Sequence, residues 1–298
     1  MKKLFLFMIL SLFSLGGCPS SCEKEKDWSW ITGPSGDGHV PLGMSIHACE
    51  DPAYLKNSEW DMHELLKYSQ MMGVTAIRTS VYIDRPGSLA CVAELSQLAP
   101  QYGVTAMLVV VTAHGGRSGL GNWEAEVQKV VSGTNATHIE PLNEIDNFFK
   151  GITPMEYAKS YLPKAAAIIR GGGKRVVSTA PTGGRGGLEW FKAMLDEGMM
   201  NHVDVISIHA YEVSPNRFVE ELKKRKINKP VWLTEVGSPS PAQHLQVYKA
   251  MSVEGVERVF WYALYDGNGS GFSLLRYEGG GKFTPSSPLF DHLAGRDR

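Results

Sequence analysis

Two glutamates in this chain stand where an enzyme would place an acid and its partner. Asn143-Glu144 closes an apolar segment within T-H-I-E-P-L-N-E-I-D-N, residues 137–147. Glu235 closes V-W-L-T-E, and the loop V-G-S-P-S follows it. A carboxylic acid at the end of a strand, beside an amide, can hold a proton against a substrate. Asn-Glu alone is a common dipeptide and would read as a strand end with a solvated carboxylate. Two strand-end glutamates together point to a pair built across one site.

For two distant strand ends to meet, the chain must return repeatedly to one edge of a sheet. From Val40 onward the pattern is strand, loop and helix, over and over. The predicted strands are Val40–His47, Thr75–Tyr82, Thr105–Thr112, Thr137–Asn143, Arg175–Thr179, Val203–His209, Val231–Glu235 and Arg258–Ala263. Most are short continuous apolar runs, as in strands covered on both faces. Helical patterns lie between them: Asp61–Met72, apolar at Leu65, Leu66, Tyr68 and Met72, then Pro154–Arg170 and Phe218–Lys226. This alternation predicts a (β/α)8 TIM barrel, one domain over residues 39–298. A doubly wound sheet is the alternative, but no Gly-rich fingerprint follows the first strand. Gly171-Gly172-Gly173 precedes a strand and reads as a helix stop.

The 298 residues carry 30 Lys and Arg against 31 Asp and Glu, a net charge of −1. A nucleic-acid partner would call for a basic excess, and none is expected. The start of the chain reads as a targeting segment. Lys2-Lys3 precede an apolar stretch, Leu4 to Leu15, too short to span a membrane comfortably and suited to a signal segment. Leu15-Gly16-Gly17-Cys18 resembles a bacterial lipobox, which implies lipidation of Cys18, export and a membrane anchor. Residues 1–18 are thus read as the signal segment and 19–38 as a polar tether, with Trp28 and Trp30 able to dock on the domain. Without lipidation, an ordinary secretory cleavage leaves the protein periplasmic or secreted. Of the remaining cysteines, Cys49 and Cys91 could pair, as an exported protein permits, or stay as thiols. No Cys/His spacing points to zinc.

In a barrel of this kind the carboxyl ends of the strands build the site. The polar residues there are His47 (strand 1), Arg78 (strand 2), His114 (strand 3), Asn143 and Glu144 (strand 4), His209 and Tyr211 (strand 6) and Glu235 (strand 7). Trp261 stands on strand 8. The set resembles the clan of retaining β-glycosidases with barrel catalytic domains, clan A. There the acid/base follows an Asn at the end of strand 4, and the nucleophile ends strand 7. Asn143-Glu144 and Glu235 match those positions. Arg78, His209-x-Tyr211 and Trp261 match recurring residues of strands 2, 6 and 8. Within the clan, I-E-P-L-N-E resembles the F-E-x-W-N-E pattern of the xylosidase and exopolysaccharide-hydrolase family thirty-nine. Leu142 replaces its Trp, and Ile145 its Pro.

The resemblance implies Glu144 as acid/base and Glu235 as nucleophile. Asn143 would bond a substrate 2-hydroxyl. Arg78 and Tyr211 would hold Glu235 ionised, His209 would contact sugar hydroxyls, and Trp261 would offer a face to a sugar ring. His114 is a further candidate for substrate contact. The chain is therefore expected to be a monomeric glycoside hydrolase acting on a poly- or oligosaccharide, with no metal or organic cofactor. A transglycosylase using the same residues, or a carbohydrate-binding protein on a glycosidase scaffold, is the alternative. Glu140 is expected inside the barrel as a structural group, with Arg78 as its partner and Glu235 competing for that cation.

Overall fold

The computed structural model describes residues 40–50, 62–266 and 271–295. The expected signal segment, Cys18 and the tether lie outside the described residues. No helix among the described residues is long and apolar enough to cross a membrane.

Eight parallel strands carry the architecture: β1 (Leu42–Ile46), β2 (Ala76–Tyr82), β3 (Ala106–Thr112), β4 (His138–Pro141), β5 (Arg175–Val176), β6 (Ile206–Ala210), β7 (Val231–Val236) and β8 (Val256–Tyr265). Their order is β5-β4-β3-β2-β1-β8-β7-β6. A parallel bridge between Val177 and Val205 joins the two edges, and the Ser178 N–H donates to the Val205 carbonyl at 2.9 Å. The sheet is a (β/α)8 TIM barrel, with helices packed outside. A small hairpin, β9 (Leu275–Gly279) and β10 (Lys282–Pro285), follows β8.

Most expected strands form within a few residues of their predicted ends, with two informative differences. The fourth stops at Pro141 and not at Asn143, because Leu142 (φ 72°) and Glu144 (φ 40°) adopt left-handed backbone that a ladder cannot use. The fifth is only two residues long. The helix after Thr153, whose hydroxyl accepts from the Glu156 N–H at 3.1 Å, runs to Gly171. Gly173, at φ 73°, then ends it, as a left-handed glycine does.

Apolar burial is divided in two. The larger cluster lies between the strands and the outer helices and includes Met44, Val109, Phe191 and Trp261. The smaller fills the barrel: Ala76, Leu108, Val177, Val205, Trp232 and Phe260. Phe260 has room only because residue 43 is glycine, since a Cβ there would stand 2.5 Å from the ring. Full burial of such a side chain stabilises the fold by about 1.5–3 kcal/mol. A disulfide joins Cys49, in the turn after β1, to Cys91, in the helix Ser88–Leu98. The pairing that the sequence left open is made.

Candidate active site

At the carboxyl ends of the strands lies a cavity of about 580 Å³. Glu144 and Glu235 both line it, and an oxygen of each lies within 4.8 Å of the other. Two local departures from regular strand bring them there. On β7 the alternation that points Trp232 and Thr234 inward would send Glu235 outward. A bulge intervenes: His209 pairs with Glu235 while Ile208 pairs with Leu233, so Thr234 is the extra residue. The extra residue turns Glu235 inward as well. On β4 the left-handed Leu142 and Glu144 do the equivalent work. Glu144 is then tied to the neighbouring segment by its N–H, which donates to the Ala180 carbonyl at 3.0 Å.

The surroundings of the two carboxyls differ. The Arg78 guanidinium lies 2.7 Å from Glu235 through Nη1. The Tyr211 hydroxyl donates to the other Glu235 oxygen at 2.8 Å. Burial works against the charge on Glu235, but His209, Arg78 and the Tyr211 hydroxyl outweigh it and hold the carboxyl below its usual range. Burial likewise raises Tyr211 well above the usual tyrosine value, so it stays a neutral donor. Among the described residues no guanidinium lies on Glu144. Its Oε1 pairs with His209 Nδ1 at 2.9 Å, and its Oε2 accepts from the Asn147 amide at 3.3 Å. His209 Nε2 lies 3.5 Å from Glu235, so one imidazole bridges the pair. Burial disfavours the imidazolium, yet Glu235 and Glu144 outweigh it and raise the His209 pKa.

Arg78 also donates through Nη2 to Asn143 Oδ1 at 2.8 Å. Because arginine can only donate, the Asn143 oxygen must face it, and its NH₂ is left for a ligand. Glu140 is fully buried below the pair. It accepts from the Ala180 N–H at 2.9 Å and the Ser207 hydroxyl at 3.3 Å, and Arg78 Nε is 3.9 Å away. Glu140 is thus the interior, hydrogen-bonded group expected from the sequence, and Glu235 holds the closer contact to Arg78. Burial raises the Glu140 carboxyl, with Arg78 opposing.

The cavity gathers Arg78, Asn143, Glu144, Tyr211 and Glu235, with His209 directly beneath the two glutamates. Two expectations are corrected. Trp261 offers no face to a sugar: it is fully buried outside the barrel, donating to the Phe272 carbonyl at 3.2 Å and meeting the His244 ring edge to face at 4.9 Å. Alternation along β8 points Phe260 inward, Trp261 outward and Tyr262 into the cavity. The aromatic residue was expected one position too early. His114 is exposed and outside the cavity lining, with its N–H donating to Asp84. Strand 3 ends at Thr112, and the turn that follows carries His114 away.

Several lining residues were not expected. Tyr262 and Phe272, with ring centroids 5.7 Å apart, form one wall, and His47, which the sequence did place at the end of strand 1, meets Tyr262 at 4.7 Å. His47 also pairs with Glu50 at 2.5 Å. Tyr82, Phe148 and Glu212 complete the rim. The inward parity of β8 signalled Tyr262, whereas nothing local marks Phe148 or Phe272. Glu144, His209 and Glu235 could each give an atom to a cation. A metal there would have to displace Arg78 from Glu235 and break the His209–Glu144 contact. The arrangement suits acid–base and nucleophilic chemistry on a neutral organic bond: one ionised carboxylate, a second within reach, and a fixed amide donor.

A family model described as glycosyl hydrolase catalytic core matches residues 95–286. No curated protein matches the chain. Among solved structures, the catalytic domain of the GH30 xylanase C from Talaromyces cellulolyticus aligns with a TM-score of 0.61 at 12% identity, covering 88% of this chain and 76% of that one. A GH128 endo-β-1,3-glucanase from Sorangium cellulosum aligns with a TM-score of 0.56 at 20% identity, covering 85% and 97%. A GH5 cellulase from an Icelandic hot spring isolate aligns with a TM-score of 0.60 at 15% identity, covering 86% and 87%. At these identities the solved structures speak to the fold, and the family model to the chemistry. Taken with the paired glutamates at the barrel mouth, the match to the model means that this chain belongs to the glycosyl hydrolase catalytic core family and is a glycoside hydrolase.

Proposed function

We propose that the chain is a retaining β-glycoside hydrolase that cleaves a poly- or oligosaccharide, with Glu235 as nucleophile and Glu144 as acid/base. The approach of the two carboxylates, within 4.8 Å between oxygens, carries this reading. Retaining enzymes hold their carboxyls about 5–5.5 Å apart, whereas inverting enzymes leave about 6.5–9.5 Å for a water. The unequal surroundings support the division of roles, since Glu235 alone has the guanidinium and phenol that keep it ionised.

In the first step Glu235 attacks the anomeric carbon and forms an ester with it. The glycosidic C–O bond breaks, and the leaving oxygen takes the proton of Glu144. In the second, Glu144 takes a proton from water, whose oxygen displaces the ester and releases Glu235. His209 bridges both carboxyls, at 2.9 Å from Glu144 and 3.5 Å from Glu235. The Asn143 amide, oriented by Arg78, is placed to bond the 2-hydroxyl. The solved relatives are named as a xylanase, an endo-β-1,3-glucanase and a cellulase, which favours a polysaccharide substrate. The likeness to family thirty-nine rests on I-E-P-L-N-E alone. Export, with Cys18 lipidated, is proposed from the leading segment, and the Cys49–Cys91 disulfide is in keeping with an oxidising compartment.

The test is a panel of β-1,3-glucan, xylan and cellulose, reading reducing ends and the first anomer formed by NMR. Hydrolysis with β-product first is expected. Initial α-product would overturn the retaining mechanism, and binding without turnover would overturn hydrolysis.

A further inference from the structure

We infer that Phe148 is the platform for the sugar ring on the leaving-group side of the cleaved bond, and so selects substrates that continue past that bond. The inference rests on the hydrolase reading of Glu144 and names a binding position of the same site.

Phe148 lines the cavity, yet it is 55% exposed. Among the described residues the large apolar side chains this exposed are Met71, Phe148 and Met155, so Phe148 is the one aromatic ring among them. A single exposed apolar residue needs no explanation on an ordinary surface. This one stands at the mouth of a catalytic cavity, one helical turn beyond Glu144, where the Phe148 N–H donates to the Glu144 carbonyl at 2.9 Å. The acid must stand beside the leaving oxygen, so the ring on its own turn flanks whatever that oxygen carries.

The segment is held firmly enough to present the ring. Phe149 is fully buried, Asp146 accepts from the Thr182 N–H at 3.0 Å, and Asn147 is tied to Glu144. On its outer side Gly116 packs so closely that a Cβ there would lie 2.7 Å from the Phe148 carbonyl oxygen. Of the other aromatic rings of the cavity, Tyr262 and Phe272 pack against each other and Tyr211 near Glu235, and Tyr82 carries the Arg85 guanidinium over its ring at 4.9 Å. Phe148, more than half exposed, makes no ring contact with that wall among the described residues. A pyranose carries an apolar C–H face that can cover an aromatic ring, and covering it removes apolar area from water.

The experiment compares two leaving groups with the same sugar on the other side. Laminaripentaose, xylopentaose and cellopentaose each place a sugar over Phe148. The matching β-biosyl fluorides place only fluoride there. Wild type and Phe148→Ala are assayed for kcat/KM on all six, with thermal melting to check folding. The ratio of pentaose to fluoride activity should fall about 10- to 100-fold in Phe148→Ala, the size expected for losing a part-buried aromatic contact. Phe148→Trp should restore most of it. An unchanged ratio, or an equal loss on both substrates, would overturn the platform. A wild type that turns over none of the six would overturn the hydrolase reading and this inference with it.

Discussion

The mouth and the base of this barrel are built on opposite principles. At the base, Trp232 and Phe260 fill the interior among Ala76, Leu108, Val177 and Val205. Arg258 lies over the Trp232 ring at 5.4 Å, and His138 packs on it at 4.5 Å. At the mouth, Arg78, Glu140, His209 and Glu235 are all buried within a few ångströms of one another. Apolar filling stabilises a barrel at little risk. Buried charges seldom stabilise it, and each becomes costly when its partner is lost. The mouth therefore keeps its charges for chemistry, and substitutions in the two halves should fail differently.

The largest effect is expected at Arg78. Arg78→Met leaves Glu140 and Glu235 buried without their guanidinium and with only His209 to offset their charge, which should cost about 3–5 kcal/mol of stability. Glu235 would then be protonated at higher pH, and kcat/KM should fall by roughly 10³-fold. Urea titration and steady-state kinetics check both, and a variant that keeps either quantity would break the contrast. At the base, Trp232→Leu should remove about 2–4 kcal/mol while the folded fraction keeps near wild-type kcat. A loss of kcat without loss of stability would blur the two regions.

The Cys49–Cys91 bond should contribute about 2–4 kcal/mol, since it closes a long loop. It also fixes the turn carrying His47 and Glu50, which Ser88 and Arg85 brace through the Cys49 and Glu50 carbonyls. Cys91→Ser should lower the melting temperature and raise KM, whereas an unchanged KM would detach that turn from the substrate. The smallest effect is one of pH. Burial lowers the His138 pKa from 6.5 to about 4. Between those values the unfolded chain binds the proton and the folded one does not. Stability from this group is therefore complete above pH 6.5 and declines as pH falls toward 4, by at most about 3 kcal/mol. His138→Gln should flatten that part of a melting-temperature profile.

The barrel was legible because eight apolar runs alternate with helical patterns, and the two glutamates because each closes a run. Glu140 was legible from its spacing within the strand. The aim of Glu144 was not, since strand alternation stops at Pro141 and left-handed residues take over. Glu235 was found by its place in the motif, although the bulge on β7 is what turns it inward. The same alternation that placed Trp261 outside and Tyr262 inside could have been followed along β8, but the likeness to a clan tryptophan pointed one residue early. Phe148 ends a single four-residue helical turn and Phe272 lies in a loop, segments too short or irregular for periodicity to encode.

The central claim is that Glu235 becomes covalently bound to the sugar. A 2-deoxy-2-fluoro-β-glycoside with a good leaving group forms that ester and slows its hydrolysis. Peptide mass mapping of the inactivated enzyme should find the added sugar on Glu235. Glu144→Ala should still accept the label, and Glu235→Ala should not. A label on Glu144, or turnover with an inverted product and no label at all, would contradict the account.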